Sequence, residues 1–148
     1  MTHAPSLLDV NVVMYAAGMD HHYKQACAWL ILEVAAGRVK AVIDTETIQE
    51  ILYRYMKTQQ WRVGVNMARN LIDMVTVVLP IRLADMLVCM QLCESYGPRG
   101  LSARDLIHVA VMQNNGLDTI ISTDQDFDRI DGIRRLDPFD LFSRRIPA

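Results

Sequence analysis

The sequence predicts an α/β fold built on a mainly parallel sheet, and two patterns predict it. Short apolar runs alternate with longer segments of helical periodicity, the order that lays helices against parallel strands. Acids also mark the connections: Asp9 in SLLDVNV, Glu50 in TIQEIL, Asp105 in SARDLIHVA and Asp124 in IISTDQDF. Asp9 and Asp124 follow β-like runs, while Glu50 and Asp105 are expected in the first turns of helices. In a parallel sheet, strand ends and the helix starts beyond them gather along one edge, where ligands bind. Acids scattered through the chain are therefore expected to share one small space.

Taken in order, residues 6–10 (SLLDV) read as a short buried strand. Asn11 and the Ala-Ala-Gly beyond it mark a change to loop or helix. Residues 24–36 read as a helix stopped by Gly37, residues 39–43 (VKAVI) as a second strand, and 46–58 as a second helix. In that helix Ile48, Ile51, Leu52 and Tyr55 make one apolar face, and Glu50, Arg54 and Lys57 line up opposite. Residues 61–73 form a further helix, and MVTVVLPI is a β-branched run ended by Pro80. A Met-rich helix spans about 82–96 and closes at the turn residues GPRG. Residues 102–115 (SARDLIHVAVMQNN) are a helix ended by Gly116, almost wholly apolar from Leu106 to Met112 and so central. A strand at 118–122, a helical turn at 124–130 and an edge strand at 133–136 complete the pattern before Pro138. There is no internal repeat, low-complexity stretch or linker, so one domain is expected over 1–148.

Composition bounds the class. With 51% hydrophobic and 22% charged residues, the chain reads as globular and not disordered. Fifteen Lys and Arg against 17 Asp and Glu give a net charge of −2, without the bulk basicity of many nucleic-acid binders. An acidic centre with a basic rim balances to about the same value. Cys27, Cys89 and Cys93 are an odd count without metal-finger spacing and read as reduced core thiols, which fits the cytoplasm. The N-terminal stretch lacks a basic leader region and carries Asp9 within its apolar run, so no signal peptide is expected. No run approaches the length of a membrane span.

Each acid also has an ordinary structural reading. Ser102-x-x-Asp105, Thr47-x-x-Glu50 and Thr123-x-x-Asp126 all match a capping box, and an acid after a strand often holds a turn. Three features favour a site instead. Asp9 interrupts an apolar strand, where an unpaired carboxylate is costly. Carboxylates occupy every corresponding edge position, although Ser or Thr would suffice as caps. Asp105 opens the most central helix. Carboxylates held so close repel, and the usual remedy is a hard divalent cation with oxygen ligands. His108, three residues after Asp105, reads as a hydrogen-bonded core residue; His21 and His22 have no diagnostic spacing. Arg54, Lys57 and Arg104 are the candidate contacts to a phosphate backbone. Glu50 and Arg54 also form a favourable i,i+4 pair, worth roughly 0.2–0.5 kcal/mol on an exposed helix.

The segments LLDVNV, IQEIL, SARDLIHVAVMQNNGLDTIISTDQDFDRI and RRLDP resemble the PIN-domain family, in particular the VapC-type toxins of bacterial toxin–antitoxin pairs. The likeness runs from about residue 6 to residue 138, with 102–130 its most specific part. It implies a three-layer α/β/α sandwich that hydrolyses RNA phosphodiester bonds with Mg²⁺ or Mn²⁺. It further implies a homodimer and a small antitoxin that covers the site. Asp9, Glu50, Asp105 and Asp124 match the family's acids, Asp126 is a possible additional ligand, and Asn11 matches the polar residue after the first acid. On this reading Asp9 and Asp105 hold the metal directly, Asp124 completes the site, and Glu50 binds a second ion or positions water. Asp124 and Asp126 are both available for the fourth station, and Glu46 competes with Glu50 for the second. The alternative of another class is a non-catalytic PIN-like module that binds RNA or protein. A receiver domain is disfavoured because Asn11 stands in place of a second acid and no lysine follows Lys57; a D-x-D-x-T phosphatase fails at Asn11 and Val13.

Overall fold

The computed structural model describes residues 4–18 and 20–145; residues 1–3 of the N-terminal stretch lie outside them, as do residues 146–148. Five short strands form one sheet: β1 (Ser6–Leu8), β2 (Ala41–Asp44), β3 (Val77–Leu79), β4 (Thr119–Ile121) and β5 (Arg134–Leu136). Their order is β3-β2-β1-β4-β5, and every neighbouring pair is parallel. The helices are α1 (Val10–Ala17), α2 (Lys24–Ala35), α3 (Thr45–Lys57), α4 (Trp61–Met74), α5 (Leu83–Tyr96), α6 (Ala103–Asn114) and α7 (Pro138–Ser143).

Both faces of the sheet are covered, because successive strand residues point to opposite sides. Leu8, Ile43 and Ile121 enter a core with Val13 of α1, Leu30 of α2, Ile51 of α3 and Leu71 of α4. Their neighbours Leu7, Val42 and Ile120 enter a second core with Cys89 of α5 and Leu106 and Val109 of α6. The result is the expected three-layer α/β/α sandwich. The chain steps outward from β1 to β2 and β3, then returns past β1 to β4. Reversing direction while keeping one crossover hand sends α5 and α6 to the face opposite α1–α4. A crevice opens between the C-terminal ends of β1 and β4, the switch point of the topology.

The structure changes several local assignments. The first strand is three residues long, and Asp9 ends it by capping α1 with no intervening loop. α3 begins at Thr45, with Asp44 accepting a hydrogen bond from the Thr47 amide at 3.2 Å. Thr47-x-x-Glu50 is thus no capping box, and Glu50 lies in the second turn. The turn after β4 is likewise capped by Asp124, which accepts from the Asp126 amide at 2.9 Å, and not by Thr123. Ser102 does cap α6, accepting from the Asp105 amide at 3.2 Å. α7 was not expected; it starts at Pro138 under an Asp137 cap and is too short to show helical periodicity.

α3 and α4 pack at one close approach. A Cβ added at Gly64 would lie 2.7 Å from the Tyr55 Cβ and 3.2 Å from its Cγ. Gly64→Ala gains about 1 kcal/mol of helix propensity in isolation, but here it forces the two helices apart. The expected net result is a loss of about 1–3 kcal/mol, read from urea denaturation; a gain would show that the contact is loose.

Candidate active site

Three elements deliver acids to the crevice. Asp9 leaves β1, Asp105 sits in the first turn of α6, and Asp124 follows β4. With Glu50 of α3 they line a cavity of about 330 Å³, whose other walls are Asn11, Arg54, Ser102 and Arg104. Asp105, Asp124 and Asp126 each offer a carboxylate oxygen within 4.8 Å of the others. Asp126 joins this trio without lining the cavity, and it also faces Arg129 at 3.6 Å. Asp9 stands outside the trio but lines the same cavity. Glu46 does not line the cavity. Nor does Lys57, whose ammonium lies over the Tyr53 ring, 5.3 Å from its centroid.

Asp9 and Asp124 are tied together by one hydroxyl. Ser122 donates to Asp9 Oδ2 at 2.6 Å, and its oxygen accepts from the Asp124 amide at 2.9 Å. The bond from Ser122 favours the Asp9 carboxylate, but burial outweighs it and raises the Asp9 pKa. Asp105 is pushed up to about 6, first by burial and then by the charges of Asp124 and Asp9. Burial is the leading cause of both shifts, and neighbouring acids add to it, most of all at Asp105; a bound cation would relieve that repulsion. Arg54 does not pair with Glu50, as their spacing suggested; it donates to Asn11 Oδ1 at 3.1 Å, bracing the first turn of α1. Arg104 is exposed at the rim.

Glu50 finds its partner elsewhere. His108, one turn beyond Asp105 on α6, places Nε2 3.0 Å from Glu50 Oε1 and Nδ1 2.6 Å from Asp44 Oδ2. All three residues are buried, Asp44 completely. His108 is the hydrogen-bonded core residue expected from sequence, but its partners are two carboxylates. Asp44 was missed, although it ends the apolar run VKAVID much as Asp9 ends SLLD.

Burial alone would lower the His108 pKa; the hydrogen bonds to Asp44 and Glu50, reinforced by their charges, outweigh it and raise the value to about 10. A histidine with a raised folded pKa contributes stability that is complete below its unfolded value of about 6.5 and is lost as pH climbs toward the folded value. Between pH 6.5 and 8.5 the protein is therefore expected to lose stability, approaching about 1.4 kcal/mol per pH unit. That window lies below the range where Cys27 and Cys89, pushed up to about 12 and about 11, add their own contribution. Urea midpoints across the window test this, and His108→Gln should flatten the slope.

The chain matches the PIN-domain family over residues 6–133. It is 34% identical over 131 residues to ribonuclease VapC13 of Mycobacterium tuberculosis, covering 88% of this chain and 98% of the relative. Among solved structures it resembles Mycobacterium tuberculosis VapC20, a sarcin–ricin loop cleaving toxin, with a TM-score of 0.71 at 14% identity, covering 85% of this chain and 94% of that one. A toxin–antitoxin complex from Klebsiella pneumoniae gives 0.63 at 19% identity, covering 90% and 97%. With the sequence match and the parallel sheet in agreement, the chain belongs to the PIN-domain family and is a relative of the VapC ribonucleases.

Proposed function

We propose that this chain is a divalent-metal-dependent endoribonuclease that hydrolyses RNA phosphodiester bonds and acts as the toxin of a toxin–antitoxin pair. One observation carries the reading: in a fold related to VapC ribonucleases, three carboxylates crowd within 4.8 Å at the topological switch point. The donor set is all oxygen, which suits Mg²⁺ or Mn²⁺ over softer metals. Asp105, Asp124 and Asp126 would hold the ion together with Asp9, which lines the same cavity. When bound, such an ion supplies Lewis-acid activation of water and stabilises charge on a phosphodiester. The chain's own residues do the rest. Arg104 and Arg54 offer positive charge to the RNA backbone at the mouth of an acidic pocket, and Asn11, held by Arg54, fixes the wall beside Asp9.

Two apolar surfaces support the partner assignments. A groove of about 570 Å³ between α1, α2 and α4, with Val13, Ala16, Ile31, Leu32, Val63 and Met67 on its walls, has the form that accepts an amphipathic antitoxin segment. On α5, Leu83, Met86, Leu87 and Met90 are 43–75% exposed and form one stripe at helical spacing. That stripe is the homodimer surface in this reading. Among the described residues no helix is long and apolar enough to cross a membrane.

Purified protein free of any partner is expected to cut labelled total RNA with Mg²⁺ or Mn²⁺ and to stop with EDTA. Asp9→Asn and Asp105→Asn should each lower the rate by about 100-fold or more; cutting undiminished in both would overturn the reading. Because a proton competes for Asp105 up to about pH 6, Mn²⁺ affinity measured by calorimetry should rise from pH 5 to pH 7. Leu87→Glu should convert a dimer to a monomer in light scattering; a monomeric parent protein would remove α5 as an interface.

A further inference from the structure

We propose that Asp44 and His108 are positioning residues of the nuclease site, locking Glu50 so that a single carboxylate oxygen faces the reacting group. The inference rests on the nuclease reading and assigns roles to two residues that never touch the cavity. The two oxygens of Asp44 have separate tasks. Oδ1 caps α3, accepting from the Thr47 amide at 3.2 Å and the Thr47 hydroxyl at 3.4 Å. A cap requires no more than that. Oδ2 is left for the His108 Nδ1–H at 2.6 Å.

That bond fixes the ring's orientation and sends Nε2 toward Glu50 Oε1, 3.0 Å away. A carboxylate only accepts, so Nε2 must donate as well. A core histidine needs only one such acceptor and commonly finds a backbone carbonyl; here both ring nitrogens are spent on acids. Among the described residues Glu50 Oε2 makes no hydrogen bond, yet no buried side-chain oxygen or nitrogen there lacks a partner. Oε2 is therefore the oxygen that Glu50 presents to the cavity it lines. With Oε1 engaged by His108, Glu50 turns Oε2 toward the cavity. It offers one fixed acceptor, suited to orienting a water or a single ligand position.

α6 joins this device to the acidic trio. Asp105 and His108 are three residues apart on the same rigid helix, so Glu50 is held in register with Asp105 across the cavity. Partners that orient a ligand in this way commonly change affinity or activity by about 10–100-fold when removed.

The test has two readouts on the full chain. The first needs no catalysis: Mg²⁺ alone is titrated into protein carrying ¹⁵N-labelled histidine. The His108 ring N–H signals should move in the unaltered protein and stay fixed in Glu50→Gln; signals that ignore Mg²⁺, or that move equally in Glu50→Gln, overturn the inference. The second is kinetic. His108→Asn, which keeps a donor toward Asp44 and loses the one toward Glu50, should lower kcat by about 10–100-fold with KM unchanged. His108→Gln, which keeps a donor toward Glu50, should restore much of it. In a Glu50→Ala background, His108→Asn should have no further effect on kcat; multiplied losses would mark a purely structural role and overturn the proposal. If the unaltered protein cuts no RNA at all, the nuclease reading fails, and the Mg²⁺ response of His108 still decides whether Asp44 and His108 serve Glu50.

Discussion

Carboxylates at the C-terminal edge of the sheet set the terms for everything built around them. Asp9 and Asp44 end adjacent strands, Asp124 follows a third, and Asp105 and Glu50 project from helices that start at the same edge. Left alone, these charges would oppose folding, because burial and mutual repulsion both disfavour the ionised forms. Two kinds of relief are built into the structure. Backbone amides at helix starts and the Ser122 hydroxyl satisfy individual carboxylate oxygens. His108 places a donor between two of the acids.

What remains unrelieved is the chemically interesting part. Among the described residues, the one salt bridge to Asp105, Asp124 or Asp126 is that of Arg129 with Asp126, at 3.6 Å. The strain appears as the raised Asp105 pKa, whose causes after burial are the neighbouring acids themselves. Crowded carboxylates of this kind suit the metal-dependent phosphoryl chemistry proposed above. The split is spatial: the side toward α3 is neutralised through His108, and the side toward β4 carries the crowded carboxylates.

The two cores explain why this edge can be held rigidly. Leu7 and Leu8, or Ile120 and Ile121, anchor each strand on both faces at once, so the acids that follow them inherit fixed directions. The Arg54–Asn11 bond ties α3 to α1 across the mouth of the cavity. Farther out, Arg135 donates to Asp128, Asp137 and the Ser122 carbonyl, and the Tyr23 hydroxyl donates to Asp137. That chain of contacts fastens β5 and the α1–α2 loop to the strand end carrying Ser122.

Local pattern was enough for the alternation of strands and helices, the central burial of α6, and the gathering of Asp9, Glu50, Asp105 and Asp124 at one edge. Each of these depends on periodicity, or on the rule that parallel strands end together, and both are written in consecutive residues. Other features depended on which distant groups come within hydrogen-bond reach. Thr47-x-x-Glu50 has the letters of a cap, but Asp44 outcompetes it because β2 ends there. Glu50 and Arg54 have the spacing of an ion pair, but each meets a better partner, His108 and Asn11, 58 and 43 residues away. Lys57 shares a helix face with Glu50, yet two further turns carry it past the cavity and onto Tyr53. Asp44 and His108 are 64 residues apart in the chain, and nothing local to either announces the other. The sequence by itself determined the alternation of strands and helices and the edge where acids collect, since those follow from short-range periodicity and chain direction. The tertiary structure alone decided which acid each donor serves, because hydrogen bonds form by distance in space and burial leaves them no alternative in water.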